Sequence, residues 1–229
     1  MPAAARVRAM FDRIAPRYDL LNHVLSLGID RGWRRRTARL LRDAGCGRVL
    51  DVCCGTGDST VVLASHGMRA HGVDFAGAML ARARTKEGAS RLVRGDALRL
   101  PFRDAAFDAT TIAFGLRNLE DRVDGLREMA RVTRPGGIVA VLECSLPARG
   151  PWRSVYVGYM TRVLPVVGGV VSGDREAYRY LPDTVLAWPS PDELEEDMRR
   201  AGLVEARHEV LGLGAAALHV GRVGEAATS

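Results

Sequence analysis

The chain has 229 residues, 47% of them hydrophobic and 26% charged, a balance that predicts one packed domain and excludes a disordered or fibrous chain. Its net charge of +6 comes almost wholly from arginine, with Lys86 the sole lysine, and permits an acidic substrate, nucleic acid or an anionic membrane surface as partner. The four cysteines form no CxxC pairs, which argues against a zinc site or a disulfide framework and favours a reducing cytoplasm.

The first predicted elements are an N-terminal helical cap over residues 1–45 and the start of a strand–helix alternation. Trp33, Thr37, Leu40 and Leu41 have the spacing of one helix face, and Gly45 marks the end of that helix. The segment RVLDVCCG then indicates a buried strand that closes in a glycine turn, and DSTVVLASHG indicates the following helix.

The alternation repeats through residues 46–146, the predicted cofactor-binding core. Further strands are predicted at RAHGVDF, SRLVRGDA, FDATTIAFGL and GGIVAVLEC, the last of them after a turn at RPGG. Helices are predicted at AGAMLARARTKEG and RVDGLREMARVT. Such a series favours a doubly wound, mostly parallel sheet.

After this core, residues 147–189 do not continue the strand–helix alternation and are predicted to form an insertion that serves as a lid or substrate wall. The alternative is a pair of helices that pack on the domain without a role in ligand binding. In residues 190–223, Ser190, Pro191 and Glu193 predict a helix with a capping box. Two strand-like runs joined by Gly212 and Gly214 then predict an antiparallel hairpin. The whole is one Rossmann-like α/β domain with seven strands and helices on both faces.

The turn DVCCGTGD is the predicted ligand site, because open α/β sheets bind ligands beyond the carboxyl ends of their strands. A dinucleotide loop has the pattern GxGxxG and offers N–H groups to a pyrophosphate. Here Cys53, Gly55 and Gly57 alternate, and Asp58 stands at the helix entrance, which disfavours a phosphate. The ammonium group of S-adenosylmethionine suits Asp51 and Asp58, and the two glycines let the backbone pack against this ligand.

Acids at the next two strand ends strengthen this prediction. Asp74 is placed to accept hydrogen bonds from ribose hydroxyls. Asp96 is placed to accept from an adenine amino group, with the backbone N–H of Ala97 facing a ring nitrogen. Each acid alone is more often a turn or cap residue than a ligand contact, but three in register at successive strand ends indicate a cofactor site.

The chain resembles the ubiquinone/menaquinone biosynthesis C-methyltransferases, often called UbiE or MenG, over residues 7–223. The resemblance is carried by the blocks MFDRIAPRYDLLNHVLSLGIDRGWR, VLDVCCGTGD, VDFAGAML, GDALRLPF, FDATTIAFGLRN, RVTRPGG and ALHVGRV. It implies a class I methyltransferase fold and S-adenosylmethionine-dependent methylation of a ring carbon in a polyprenyl quinol, with demethylmenaquinol going to menaquinol. The predicted protein is thus a single methyltransferase domain over residues 1–229.

The resemblance also implies cofactor contacts. These are Thr56, Asp74, Phe75, Asp96, Ala97 and Ala113. Ala113 departs from the serine that many members have at this position, so a hydroxyl contact is lost. Cys53 also replaces the glycine that the wider superfamily has, and both adjacent cysteines are predicted to pack rather than react.

Methylation of a ring carbon requires the reduced ring, because loss of a phenolic proton makes the adjacent carbon nucleophilic. The enzyme then has to align this carbon with the methyl group, exclude water and place a polar group near one ring hydroxyl. Arg117 and Asn118 follow the fourth strand and are predicted to face the methyl group. Arg117 is expected either to stabilise a phenolate or to polarise a water that takes the proton, and Asn118 to bond a ring oxygen. Tyr18, on an N-terminal segment that folds over the site, is the predicted catalytic partner of Arg117. His23 is the alternative base.

The predicted partners are the quinol and a transient contact with the inner surface of the cell membrane, with residues 163–171 lining a channel for the isoprenoid tail. No metal and no nucleic acid are expected, and a homodimer is compatible with the sequence without being indicated by it. The alternatives are a methyltransferase for another small or lipid-like acceptor, including a benzoquinol, and a non-catalytic cofactor-binding protein. The sequence leaves the tail length and the general base open.

Overall fold

Seven strands form one central sheet in this computed structural model, which describes residues 4–19, 26, 28–89, 91–148, 150–166 and 182–225. The strands are β1 (Arg48–Val52), β2 (Arg69–Asp74), β3 (Leu92–Arg94), β4 (Phe107–Ala113), β5 (Thr133–Cys144), β6 (Leu203–Leu211) and β7 (Ala216–Val223). Their order is β3-β2-β1-β4-β5-β7-β6. Strands β1 to β5 run parallel, and β7 is antiparallel to both β5 and β6. The predicted seven-stranded, mostly parallel sheet with a C-terminal hairpin is therefore confirmed.

Within the described residues, two α-helices precede the first strand and the others lie between strands, as the sequence pattern predicts. They are α1 (Ala4–Ile14), α2 (Asp30–Asp43), α3 (Asp58–Ser65), α4 (Gly77–Ala83), α5 (Arg122–Val132), α6 (Pro151–Gly158) and α7 (Pro191–Arg200). Helix α2 begins three residues before the predicted Trp33. The capping box at the start of α7 is confirmed, since the Ser190 side chain accepts from the Glu193 N–H and the Glu193 carboxylate accepts from the Ser190 N–H.

Apolar side chains cover both faces of the sheet, which is why the predicted strands are short apolar runs rather than strict alternations. Leu50 and Val52 of β1 point into a core that contains Met129 of α5 and Met198 of α7. Val49 lies in a second core with residues of α2 and α3. The sheet is thus enclosed between helical layers, and only its strand ends remain for a ligand.

The strand order reverses between β1 and β4, because the chain builds β2 and β3 on one side of β1 and then crosses to the other. The loops after β1 and β4 diverge at this point and leave a crevice beyond the carboxyl ends of the strands. The DVCCGTGD turn follows β1 and the FGLRN segment follows β4, so both meet at the crevice.

The RPGG segment differs from its prediction as a turn before the strand. It lies inside β5, where Thr133 pairs with Phe107 and Ile138 pairs with Ala109, so the β5 segment has three more residues than its partner. Gly136 has a φ of +70°, which accommodates the bulge.

The predicted insertion at residues 147–189 is only partly within the described residues. Helix α6 continues into a π-helical turn, Tyr159–Val163, and residues 182–186 are helical, while residues 167–181 lie outside the description. The tail channel predicted at residues 163–171 therefore falls largely outside it, and the lid role stays a prediction. Among the helices of the described part of the chain, none has the length and apolarity needed to cross a bilayer.

Candidate active site

The turn after β1 is built from residues with left-handed backbone. Cys53, Gly55 and Gly57 have φ values of +53°, +54° and +83°. Gly57 is the N-cap of α3, and a Cβ added to it would lie 3.1 Å from the Cβ of Ala83 on α4. The glycine is therefore required both by its backbone conformation and by the close approach of α4.

Asp74 fixes this turn to the end of β2. Its carboxylate accepts hydrogen bonds from the Gly55 and Ala76 N–H groups, each at 2.8 Å, and burial raises the pKa of the carboxyl group. Asp96, after β3, accepts from the Leu98 N–H at 2.9 Å. Both acids thus act as turn residues while lying at neighbouring strand ends, as the sequence predicts.

A cavity of about 110 Å³ lies between the glycine turn and these acids, and we call it the strand-end cleft. Three carboxylates line it, those of Asp74, Asp96 and Glu120. Among the described residues that line it there is no lysine, arginine or histidine. A cleft with acids and without cations disfavours a phosphate and suits a ligand that carries positive charge and hydroxyl donors, as S-adenosylmethionine does.

Most of the predicted cofactor residues line this cleft. They are Gly55, Asp74, Phe75, Asp96, Ala97 and Ala113. Asn118 and Tyr18 line it as well. Phe11 also lines the cleft, although no motif of the sequence singles it out; it lies seven residues before Tyr18, about two helical turns, and this spacing is the signal that relates the two rings.

Three other predicted residues lie outside the cleft lining. Asp51 is 1% exposed and accepts from the Thr60 hydroxyl at 2.7 Å; burial raises its pKa to about 7, against the effect of that hydrogen bond. Thr56 is buried, and its hydroxyl donates to Asp19. Direct cofactor contact by Asp51, Thr56 and Gly57 stays a prediction.

Asp58 was expected to meet the ammonium group of the cofactor, and the structure places it elsewhere. It is not among the residues that line the strand-end cleft. Its Oδ1 lies 2.5 Å from the Nζ of Lys86 instead. The acid at the helix entrance is therefore neutralised by a cation of the chain itself.

A second cavity of about 370 Å³ adjoins the cleft, and Tyr18 and Phe114 line both. We call it the apolar cavity. Its lining includes Trp33, Trp152, Tyr156, Tyr159, Met160 and Leu164. Polar side chains in it are few, among them Asp30, Arg34 and Arg117.

Phe114 forms the wall between the two spaces. Its φ of +60° is unusual for a bulky residue and marks a position that the surrounding packing holds in place. The Arg34 guanidinium lies 5.1 Å from its ring centroid, and the Trp33 ring lies 6.2 Å away. This backbone conformation has no signature in the residue pattern of the FGLRN segment.

Arg117 lines the apolar cavity rather than the strand-end cleft. Its Nη1 donates to the Phe114 carbonyl at 2.8 Å and to the Glu143 carboxylate. Burial is the largest single influence and lowers its pKa, but the charge of Glu143, the hydrogen bond to it, and nearby Cys144 and Tyr18 together raise the pKa by more, so the guanidinium stays protonated. Its Nε is buried and has no hydrogen-bond partner in the described part of the chain. A buried N–H group without a partner is suited to donate a hydrogen bond to an oxygen atom of a ligand.

The turn Leu116–Asn118 separates the two residues that were expected to face the same atom. Arg117 meets the apolar cavity and Asn118 meets the strand-end cleft. His23, the alternative base, lies outside the described residues.

These features define a class I S-adenosylmethionine-dependent methyltransferase: a seven-stranded sheet whose strand ends carry a glycine turn, two aligned acids and an adjoining acceptor space. The model of the ubiE/COQ5 methyltransferase family matches residues 2–223, and the chain belongs to that family.

Curated relatives agree with this assignment. The chain is 49% identical to a demethylmenaquinone methyltransferase of Thermus thermophilus, over 93% of this chain and 99% of the relative. It is 48% identical to one of Deinococcus radiodurans, over 94% and 91%. It is 42% identical to a ubiquinone/menaquinone biosynthesis C-methyltransferase of Geotalea daltonii, over 94% and 95%.

Solved structures share the fold at low identity. A methyltransferase of Thermotoga maritima has a TM-score of 0.66 at 20% identity, covering 93% of this chain and 98% of that one. The cyclase SpnF has a TM-score of 0.67 at 20% identity, covering 98% of both chains. A phosphoethanolamine N-methyltransferase of Haemonchus contortus, solved with S-adenosyl-L-methionine, has a TM-score of 0.54 at 16% identity, covering 78% and 49%. The cofactor of this methyltransferase family is S-adenosylmethionine.

Proposed function

We propose that this enzyme methylates a ring carbon of a polyprenyl quinol and that demethylmenaquinol is its acceptor. The observation that carries the proposal is the apolar cavity, which adjoins the strand-end cleft and shares Tyr18 and Phe114 with it. A flat, hydrophobic ring fits its aromatic and aliphatic lining. The relatives named demethylmenaquinone methyltransferase support the naphthoquinol over a benzoquinol.

The chemistry asks the protein for alignment and charge stabilisation. S-adenosylmethionine, when bound, supplies a methyl group on a sulfonium. The chain has to hold the ring carbon in line with that methyl and to favour ionisation of the neighbouring ring hydroxyl. The methyl replaces a ring hydrogen, so one proton leaves for each methyl transferred. The oxidised ring is electron-poor, so the enzyme requires the quinol.

Arg117 supplies the charge in this proposal. Its guanidinium remains cationic beside Glu143, so it acts as an electrostatic partner of the phenolate and not as a base. Its unpartnered Nε is a donor for the ring oxygen. The cation lowers the pKa of that ring hydroxyl, so its proton passes to water. After methyl transfer the ring carbon loses its hydrogen as a proton to water and the ring oxygen takes a proton back, which restores the quinol with one proton released.

Tyr18 and Asn118 position the ligands in this proposal. Tyr18 lines both spaces and is placed to pack against the methyl group and the ring. Asn118 lines the strand-end cleft, so its amide is assigned to the cofactor side rather than to the quinol oxygen expected from the sequence. Both carry out alignment and exclusion of water.

The acceptor is tested with purified protein, radiolabelled S-adenosylmethionine and a panel of reduced demethylmenaquinol, demethoxylated benzoquinol and tRNA. We expect label in the naphthoquinol and none without reductant. Label in the benzoquinol alone would assign the enzyme to the other acceptor. Cofactor binding without label in any of the three would favour the non-catalytic alternative.

The role of Arg117 is tested without leaving a buried charge unpaired. Arg117→Met combined with Glu143→Gln removes both charges and should lower kcat at least about 100-fold while the cofactor Kd changes less than about twofold. Arg117→Lys keeps a cation near Glu143 and should retain more of the rate. Turnover of the double variant within tenfold of the wild type would remove Arg117 from the mechanism.

We also propose that the mouth of the apolar cavity rests on an anionic membrane surface, where polyprenyl quinols reside. Ile29, Trp152 and Val155 line the cavity and are 50%, 44% and 59% exposed. The segment 151–166 contains no acidic residue and carries Arg153 and Arg162, both exposed. Exposed apolar side chains beside arginines are the features of an interfacial helix.

Sedimentation with phosphatidylglycerol vesicles at low salt tests this surface. Trp152→Glu with Val155→Glu should abolish binding, because each adds an acid to the proposed contact face. Val204→Glu is the matched control, since Val204 is 48% exposed on β6 and does not line the cavity. Absence of wild-type binding, or equal loss in the control, would contradict the membrane contact and leave the chemistry untouched.

A further inference from the structure

The only lysine of the chain, Lys86, joins three separate parts of the protein. Its Nζ lies 2.8 Å from Asp19 Oδ2, 2.5 Å from Asp58 Oδ1 and 3.3 Å from Thr56 Oγ1. Thr56 belongs to the glycine turn and Asp58 to the first turn of α3. Asp19 belongs to the N-terminal segment and also accepts from the Thr56 hydroxyl.

The N-terminal segment, residues 4–19, covers the strand-end cleft and is attached to the core at two points, Asp12 and Asp19. Phe11 and Tyr18 line the cleft, with their ring centroids 6.1 Å apart in an edge-on contact. Near the first ring, Asp12 accepts from the Ala78 N–H at 3.0 Å at the start of α4. Next to the second ring, Asp19 is held by Lys86. Tyr18 is therefore adjacent to the second attachment point.

We propose that Lys86 is a positioning residue: through Asp19 it holds the N-terminal segment closed, so that Tyr18 stays at the boundary between cofactor and acceptor. Lys86 does not line either cavity, so it acts through the segment and not by touching a ligand. Its simultaneous contact with Thr56 links closure of the segment to the geometry of the glycine turn.

The surroundings favour a lysine at this place. Two carboxylates and a hydroxyl converge on one ammonium group, which can offer a donor to each of them. Lys86 is 25% exposed, Asp19 31% and Asp58 32%, so each pair is partly screened by water. Such pairs contribute modestly to global stability, and the proposed role is therefore local.

A plain surface ion pair is the competing explanation, and Asp58 provides the matched control for it. Asp58 is 32% exposed against 31% for Asp19 and contacts the same amine, but it is part of α3, and its link to the N-terminal segment runs through Lys86. A stabilising role alone would make the two acids equivalent. A positioning role makes only Asp19 matter for the ligands.

The experiment compares Lys86→Gln, Asp19→Asn and Asp58→Asn. We expect the first two to weaken cofactor binding by about fivefold, the upper end for one partly exposed ion pair, and Asp58→Asn to change it less than about twofold. Trypsin should cleave after Arg8, Arg13 and Arg17 faster in the first two variants only. Lys86→Arg should retain the cofactor affinity and the cleavage rate of the wild type. The double variant Lys86→Gln with Asp19→Asn should lose no more cofactor affinity than either single variant, because both remove the same interaction.

Equal effects of Asp19→Asn and Asp58→Asn, or wild-type affinity and cleavage in Lys86→Gln, would overturn the proposal. The inference builds on the proposed function only for the place of Tyr18 beside the acceptor. Cofactor binding and proteolysis need no quinol, so a wrong acceptor would leave these readouts intact.

A chemical test uses the wild-type sequence. An amine-selective acetylating ester can modify only Lys86 and the α-amino group, because no other lysine exists. Acetylation should weaken cofactor binding of the wild type and leave that of Lys86→Gln unchanged, since in the variant only the α-amino group reacts. An equal effect on both proteins would assign the loss to the α-amino group and contradict the proposal.

Discussion

Arg117 and Asn118 are neighbours in the sequence and serve different cavities. They lie in a 3-10 turn, in which successive side chains point about 120° apart. The sequence locates both at the end of a strand, because strand ends follow from apolar runs and turn residues. The sequence does not show how the turn after the strand is wound, so it could not predict that Asn118 lines the strand-end cleft and Arg117 the apolar cavity.

Cys53 offers a test of the glycine turn at the level of one residue. Burial raises its thiol pKa well above the usual value, so the group stays protonated and weakly nucleophilic. Its φ of +53° is one that glycine adopts readily. Cys53→Gly should therefore keep the calorimetric cofactor Kd within about twofold of the wild type.

Cys46→Ala is the control for this substitution, since Cys46 is a buried thiol that does not line the cleft. A tenfold loss of cofactor affinity in Cys53→Gly but not in Cys46→Ala would show that the thiol itself contacts the ligand.

The bulge in β5 is the element whose structure departs most from its sequence pattern. RPGG is a typical turn signal, yet here it lies within β5, between the paired residue Thr133 and the ladder that resumes at Ile138. The reason is pairing with β4: the chain resumes the ladder at Ile138 after the extra residues. A local turn pattern does not predict pairing with a strand that is distant in the sequence.

The two glycines of the bulge should differ in their tolerance of alanine. At Gly137 a Cβ would lie 2.6 Å from the Asp108 carbonyl oxygen and 2.7 Å from that of Arg134, so we expect Gly137→Ala to destabilise by about 2 kcal/mol or more. At Gly136 nothing lies within 4 Å, and only its positive φ costs about 1 kcal/mol. Urea unfolding midpoints measure both; a larger loss in Gly136→Ala would contradict this packing.

Elements with a clear period were predictable, and the surfaces that assemble from distant elements were not. The strand ends with Asp74 and Asp96 followed from the sequence because each depends on its own strand and turn. The apolar cavity brings Trp33 of α2 together with Trp152 of α6 and Phe114 after β4. Their common location depends on tertiary packing, which has no local signature.

At the scale of the whole molecule, two buried groups should give opposite pH dependences. Burial lowers the pKa of His219 to about 4, so its stabilising contribution is present above about 6.5 and lost as pH falls toward 4. Burial raises the pKa of Asp51 to about 7, so its contribution is present below about 4 and lost as pH rises to 7. Between pH 4 and 7 the contributions of these two groups to the free energy of unfolding therefore change in opposite directions.

When one of the two groups is replaced, the pH dependence contributed by the other should become measurable. Relative to the wild type, the free energy of unfolding of His219→Gln should fall as pH rises from 4.5 to 7, and that of Asp51→Asn should rise, by up to about 3 kcal/mol in each case. Urea unfolding at both pH values provides the measurement. Parallel profiles for the wild type and both variants would contradict the assignment to these two groups.

The common wall of Tyr18 and Phe114 has a kinetic consequence. Because one pair of side chains bounds both spaces, whichever substrate enters first shapes the surface that the second one meets. Transfer straight across that boundary demands that both be present in one ternary complex. Initial-rate plots should therefore intersect rather than run parallel, and the demethylated cofactor should compete with S-adenosylmethionine while inhibiting noncompetitively toward the quinol.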